Sequence, residues 1–250
     1  MSSSYKTLNV IASPDGYVVT VEFNRPEALN AMNTAMGEDL LRCFGALQWD
    51  KTARAVVLTG SGAKAFCVGG DLKERQGMSD ETWRAQHVIF EAAAARVLHC
   101  PVPVIAAVEG FAMGGGCELA VLSDFIVASE SAVFAVPEVT LGIFPGIGGT
   151  QMLPRIIGGP LAKEMIFTGR RVAAAEAKAI GLVNHLVPAG QARARRRSRS
   201  PRPLPPTAPS PSARRKRPST GAARPTSKRA WRSPSRPTMS PSPPRTGSKA

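Results

Sequence analysis

The 250 residues divide sharply by charge. Residues 1–190 hold 15 Lys and Arg against all 18 Asp and Glu, a net of −3, while residues 191–250 hold the other 17 basic residues and no acid. The overall charge of +14 therefore describes the end of the chain and gives no ground for reading the body as a nucleic-acid binder. Cys43, Cys67, Cys100 and Cys117 form no CxxC pair and no short Cys/His spacing, which speaks against zinc and against a disulfide framework. No apolar run approaches the ~20 residues of a membrane span. Met1 to Lys6 carries neither a signal-peptide core nor an Arg-rich transit pattern, so the expected compartment is the reducing cytoplasm.

In chain order, Pro14-Asp15-Gly16 signals a turn and Tyr17–Phe23 alternates as a strand. Met36, Leu40, Phe44 and Leu47 recur at helical spacing, which predicts a helix starting near Asn33. Ala55–Gly60 reads as a buried strand leading to a glycine-bearing loop, Gly69-Gly70-Asp71. A longer helix is expected over Asp80–His99 with Ser79 as its N-cap. Pro103–Glu109 is the next strand and Leu119–Asp124 a short helix. Phe125–Ser129 and Ala132–Val136 follow as strands, then a loop over Gly142–Gly149. Helical stretches are expected around Leu161–Thr168 and Ala173–Ile180, and a last strand at Val183–Val187. Strands alternating with helices predict an α/β body over residues 1–190.

At Gly190 the composition changes. Residues 191–250 contain 13 Pro and 11 Ser, and only Leu204, Trp231 and Met239 as large apolar side chains. Such a segment buries too little apolar surface to offset its ordering entropy, so disorder is expected. Two origins fit it. A GC-rich gene read out of frame near Gly190–Arg193 yields this mixture, and a true basic tail would give salt-sensitive, nonspecific nucleic-acid binding through Arg193–Arg199 and Arg214–Arg217.

The chemistry is concentrated in Gly114-Gly115-Gly116-Cys117-Glu118, between a strand-like and a helix-like stretch. Glycines there let backbone N–H groups approach a ligand, and a helix start adds unpaired donors and partial positive charge. That is the composition of an oxyanion hole with an adjacent acid or base. A second carboxylate, Glu138, follows Pro137 and precedes a Gly/Pro-rich run to Thr150, in which Gly146 is expected to let the loop fold back and place Glu138. Two glutamates in one pocket can divide acid and base work. A glycosidase also pairs carboxylates, but two glycine-rich loops suit an enolate.

Four segments carry a resemblance: Asn24–Met32, Ala65–Lys73, Gly114–Ala120 and Pro137–Gln151. In this order and spacing they resemble the enoyl-CoA hydratase/isomerase (crotonase) superfamily over about residues 5–188. The resemblance implies a spiral of ββα units, normally followed by C-terminal helices whose place residues 191–250 take here, and assembly as a homotrimer or hexamer. It implies an enoyl-CoA hydratase that adds water across the C2=C3 bond of a short or branched acyl-CoA; enoyl-CoA isomerase is the alternative. The backbone N–H groups of Gly70 and Gly115 would bind the thioester oxygen, Gly70 standing where many relatives have alanine. Glu138 would protonate C2 and Glu118 would orient and deprotonate the water, or the two roles are exchanged, since a coupled pair titrates jointly. Arg25, Ala28, Ala65, Val68, Gly69, Asp71, Leu72 and Lys73 would contact coenzyme A or substrate. No metal and no cofactor beyond the coenzyme A of the substrate is implied.

Asp71-Leu72-Lys73-Glu74-Arg75 is particularly like the methylglutaconyl-CoA hydratase branch. The lysine-rich helix of its RNA-binding members has no counterpart in Gly37–Arg42. His87, His99 and His185 lie outside the motifs and read as structural or surface residues. Cys67 and Cys117 read as small packing residues, and Trp49, Trp83 and Phe90 as packing.

Overall fold

The computed structural model describes residues 4–192. The chain opens with an antiparallel pair, β1 (Leu8–Ala12) and β2 (Val18–Phe23), then α1 (Thr34–Leu47). One pattern then recurs: a strand for a first sheet, a strand for a second, and helix. It is seen in β3 (Ala55–Gly60), β4 (Ala65–Cys67), α2 (Leu72–Arg75) and α3 (Asp80–Leu98). It returns in β5 (Val104–Val108), β6 (Phe111–Met113) and α4 (Gly115–Leu122), and in β7 (Phe125–Ser129), β8 (Val133–Ala135), α5 (Gly149–Ile157) and α6 (Gly159–Thr168). The described part closes with β9 (Val172–Ala173), α7 (Ala174–Ala179) and β10 (His185–Val187).

The larger sheet has the order β1-β2-β3-β5-β7-β10 and is parallel from β2 onward. The smaller has the order β4-β6-β8-β9 and turns antiparallel only between β8 and β9. Parallel strands are covered on both faces, which is why β5 reads Val-Ile-Ala-Ala-Val with no polar alternation. α1 buries Met36, Leu40, Phe44 and Leu47 and packs on α3. Their starts are capped by side chains: Asn33 accepts from the Met36 N–H at 3.0 Å, and Ser79 from the Thr82 N–H at 3.2 Å.

The helix expected from Leu119 begins four residues earlier, so Gly115 and Gly116 form its first turn. Packing explains the glycines. A Cβ on Gly116 would lie 2.0 Å from the carbonyl oxygen of Cys67, so α4 can sit on β4 only through a residue without a side chain. All four cysteines are free and buried. Burial pushes the Cys67 thiol up to about 12, which makes it inert. Trp49, expected in the packing, is 84% exposed. β1, β4, β6, β9 and α5 had no sequence expectation. The reading of residues 191–250 falls, from residue 193 on, outside the described residues; Ala192 is still buried.

Candidate active site

The glycine-bearing loop after β4 is held by one residue. The Met32 N–H donates to the Gly69 carbonyl at 2.7 Å, and the Met32 carbonyl accepts from the Asp71 N–H at 2.9 Å. In this single parallel bridge the intervening Gly70 N–H faces away from Met32 and has no acceptor among the described residues. The Gly115 N–H, at the first position of α4, also has none. The two segments lie against each other: a Cβ on Gly69, whose φ is +90°, would sit 3.1 Å from the Gly115 nitrogen. The Met32 Cε lies 3.0 Å from where a Gly115 Cβ would be. Two unsatisfied donors in adjoining glycine segments can share one oxygen.

Glu118 stands in the first turn of α4 and is 2% exposed. Its Oε1 accepts from the Ile147 N–H at 3.0 Å and the Gly149 N–H at 2.7 Å. Burial pushes its carboxyl up to about 7; the amides pull the other way, and the charge of Glu138 adds to the rise. The loop over 142–149 therefore holds both glutamates: its Ile147 and Gly149 amides grip the Glu118 carboxylate, and its Ile143 N–H donates to the Glu138 carbonyl at 3.2 Å. Glu138 is presented by a 3-10 turn, Pro137–Leu141, with proline at its first position. Glu138 is buried, its Oε1 lies 3.2 Å from where a Gly114 Cβ would be, and its Oε2 has no hydrogen-bond partner. Burial raises its carboxyl as well.

Asp71 caps α2, accepting from the Lys73 and Glu74 N–H groups. The Arg25 guanidinium pairs with Asp71 at 2.9 Å and donates to the Ala31 carbonyl at 2.6 Å. These two residues are thus committed to each other and fix the loop. Leu72 and Lys73 are exposed, Val68 is half-buried, and Ala65 is buried. Ala65 lines a groove of about 420 Å³ with Pro26, Glu27, Leu29, Asn30 and Ser61–Ala65; Ala28 lies within the same turn, and Lys64 adds a cation.

Residues given no part in the site by the sequence complete the wall. The Arg75 guanidinium fills the space a Gly70 Cβ would take, at 2.9 Å, and lies over Phe90 and Trp83. Its Nε donates to Gln86 at 2.9 Å, and Gln86 bonds Glu74 and Thr34. The half-buried His87 ring stacks on Trp83 and meets the loop at Gly146. Spacing alone could place Trp83, Gln86, His87 and Phe90 on one helical face; the loops they meet are distant in sequence.

The sequence model of the enoyl-CoA hydratase/isomerase family matches residues 15–204. The chain belongs to this family. Within it, the chain is similar to the short-chain-enoyl-CoA hydratase of Clostridium acetobutylicum, at 44% identity over 179 residues, 72% of this chain and 69% of that one. It is 46% identical to YngF of Bacillus subtilis over 170 residues, 68% of this chain and 65% of YngF. The chain thus spans about two thirds of the length of these relatives. The crystal structure of an enoyl-CoA hydratase from Bacillus anthracis superposes with a TM-score of 0.73 at 43% identity, covering 76% of this chain and 74% of the other. The α/β spiral is thus the fold of solved family members.

Proposed function

We propose that the protein is an enoyl-CoA hydratase acting on short or branched enoyl thioesters. The observation that carries this reading is the pair of buried glutamates beside two unsatisfied glycine amides. Water adds across C2=C3 in one direction only if charge can move onto the carbonyl oxygen. The Gly70 and Gly115 N–H groups receive that charge, and one such donor is worth about 2.7–4 kcal/mol.

Glu118 orients the water and takes its proton as the oxygen bonds to C3. Glu138 gives a proton to C2, and the C2=C3 π bond is lost. The proton balance closes when the pair exchanges the proton from Glu118 to Glu138 through the next water. The hydrogen bonding supports this division. Glu118 has two amides that favour its carboxylate, whereas the Glu138 Oε2 has no partner in an apolar surround that favours the acid. Isomerisation would move a proton between carbons without taking up water.

The groove by Ala65 is where the coenzyme A portion would lie, with Lys64 and Lys73 as cations for its phosphates. Assembly as a homotrimer or hexamer and a cytoplasmic location belong to the same reading. No helix among the described residues is long and apolar enough to cross a membrane. The test is turnover of a panel of enoyl-CoA thioesters in oxygen-labelled water. Label at C3 is expected; migration of the double bond without label would sink the hydratase reading. Deleting residues 191–250 then separates nonspecific nucleic-acid binding by the basic segment from thioester binding by the body.

A further inference from the structure

Two glycines of the site are completed by side chains from the same wall, and one of them governs a glutamate. A Cβ on Gly146 would lie 2.6 Å from Cε1 and 3.1 Å from Nε2 of His87. The main chain of the loop therefore rests directly on the imidazole. The ring is itself held firmly: it stacks on Trp83 with centroids 5.2 Å apart and planes 6° from parallel, and its Nε2 is 3.3 Å from Glu91 Oε1. Burial pushes His87 below its ordinary value; Glu91 opposes that and Arg75 adds to it. A flat ring, held between Trp83 and Glu91, thus lies under Gly146. In the same loop, the amides of Ile147 and Gly149 converge on Glu118.

We propose that His87 is a positioning residue for Glu118: its ring sets the height of the 146–149 loop and so aims the loop's amides at the carboxylate. The inference rests on the reading of Glu118 as the group that handles the water. It differs from general packing in a way that can be measured. A misplaced loop weakens the donors on Glu118, so the acid holds its proton to higher pH, while thioester binding is left alone.

The test uses the full chain. His87→Ala is expected to lower kcat about 10- to 100-fold with KM within about threefold, and to move the acid limb of the kcat profile upward by at least about half a pH unit. His87→Phe keeps a ring between Trp83 and Gly146 and is expected to keep most of kcat. Gly146→Ala drives a methyl into the ring and should be impaired, and Gly146→Ala with His87→Ala should recover because the methyl takes the vacated space. An unshifted acid limb in His87→Ala, or a double variant no better than the two losses combined, overturns the proposal. If His87→Ala fails to fold, the Phe and double variants answer alone. The Glu118 carboxyl can also be titrated by difference infrared spectroscopy, which needs no turnover. A wild type that hydrates nothing but shows the shifted titration in His87→Ala would sink the hydratase reading and leave the positioning role standing; no shift would sink the positioning role.

Discussion

The amide of Gly149 donates to the Oε1 of Glu118 at 2.7 Å, joining residues 31 apart in sequence. Each belongs to the first turn of a helix, α5 and α4, so two helix N-termini meet at one carboxylate. Positive helix ends favour the anion and dry packing opposes it. The carboxyl near neutrality is the outcome of those opposed effects.

That balance gives a pH dependence of stability. The folded value of about 7 lies above the ordinary 4.5, so between these limits the folded protein keeps a proton that the unfolded chain has lost. Stability should therefore fall as pH rises from about 4.5 to about 7 and level off above, by about 3 kcal/mol at most. Glu118→Gln should lack this component. Chemical denaturation of both proteins at pH 5 and pH 8 checks it, and parallel pH profiles would count against it. In catalysis the same group must be ionised, so hydration should weaken below about pH 7.

Glu138→Gln keeps the shape of the acid and removes its proton. Hydration should drop about 100- to 10,000-fold while the affinity for a saturated acyl-CoA, read by calorimetry, stays near wild type. Near-normal turnover would remove Glu138 from the reaction.

Alanine should separate two kinds of glycine. At Gly70 the nearest atoms a methyl meets are the guanidinium end of Arg75, and the N–H stays in place, so turnover should remain within about tenfold of wild type. At Gly116 it meets the Cys67 carbonyl at 2.0 Å, part of the backbone, and should cost about 3 kcal/mol or more. Thermal melts and assays of the two variants should rank them in that order; a Gly116→Ala protein as stable as wild type would contradict the packing of α4.

The Arg25–Asp71 pair ties the glycine-bearing loop after β4 to the segment before α1. Arg25→Met should cost about 1–3 kcal/mol, because it removes the cation from a largely buried carboxylate that keeps only its two capping amides. A double-mutant cycle with Asp71→Asn measures the coupling, and a coupling near zero would mean that the loop is held by the Met32 bridge alone.

The sequence was most legible where pattern and burial coincide. The four apolar residues of α1, the all-apolar β5 and the caps Asn33 and Ser79 lie where their spacing puts them. The short strands of the second sheet were not legible, since three residues such as Ala65–Cys67 show no period. α5 was hidden by its glycine start and by Pro154 within it. Its first amide is one of those on Glu118, so the missed helix also concealed what grips that side chain. The glutamates stood out through their glycines, whereas Arg75 and His87 act through space that other residues leave empty, and nothing local in their sequence records it.

Met32 touches both glycine segments of the candidate site, by its backbone at Gly69 and Asp71 and by its side-chain tip at Gly115. It works as a calliper: one jaw is main chain and cannot be altered by substitution, the other is a thioether of adjustable length. A shorter or bulkier residue there would reset the gap between the two amides while leaving every donor and acid in place. The spacing of the two glycine amides is thus tunable at a single buried position outside the proposed chemistry.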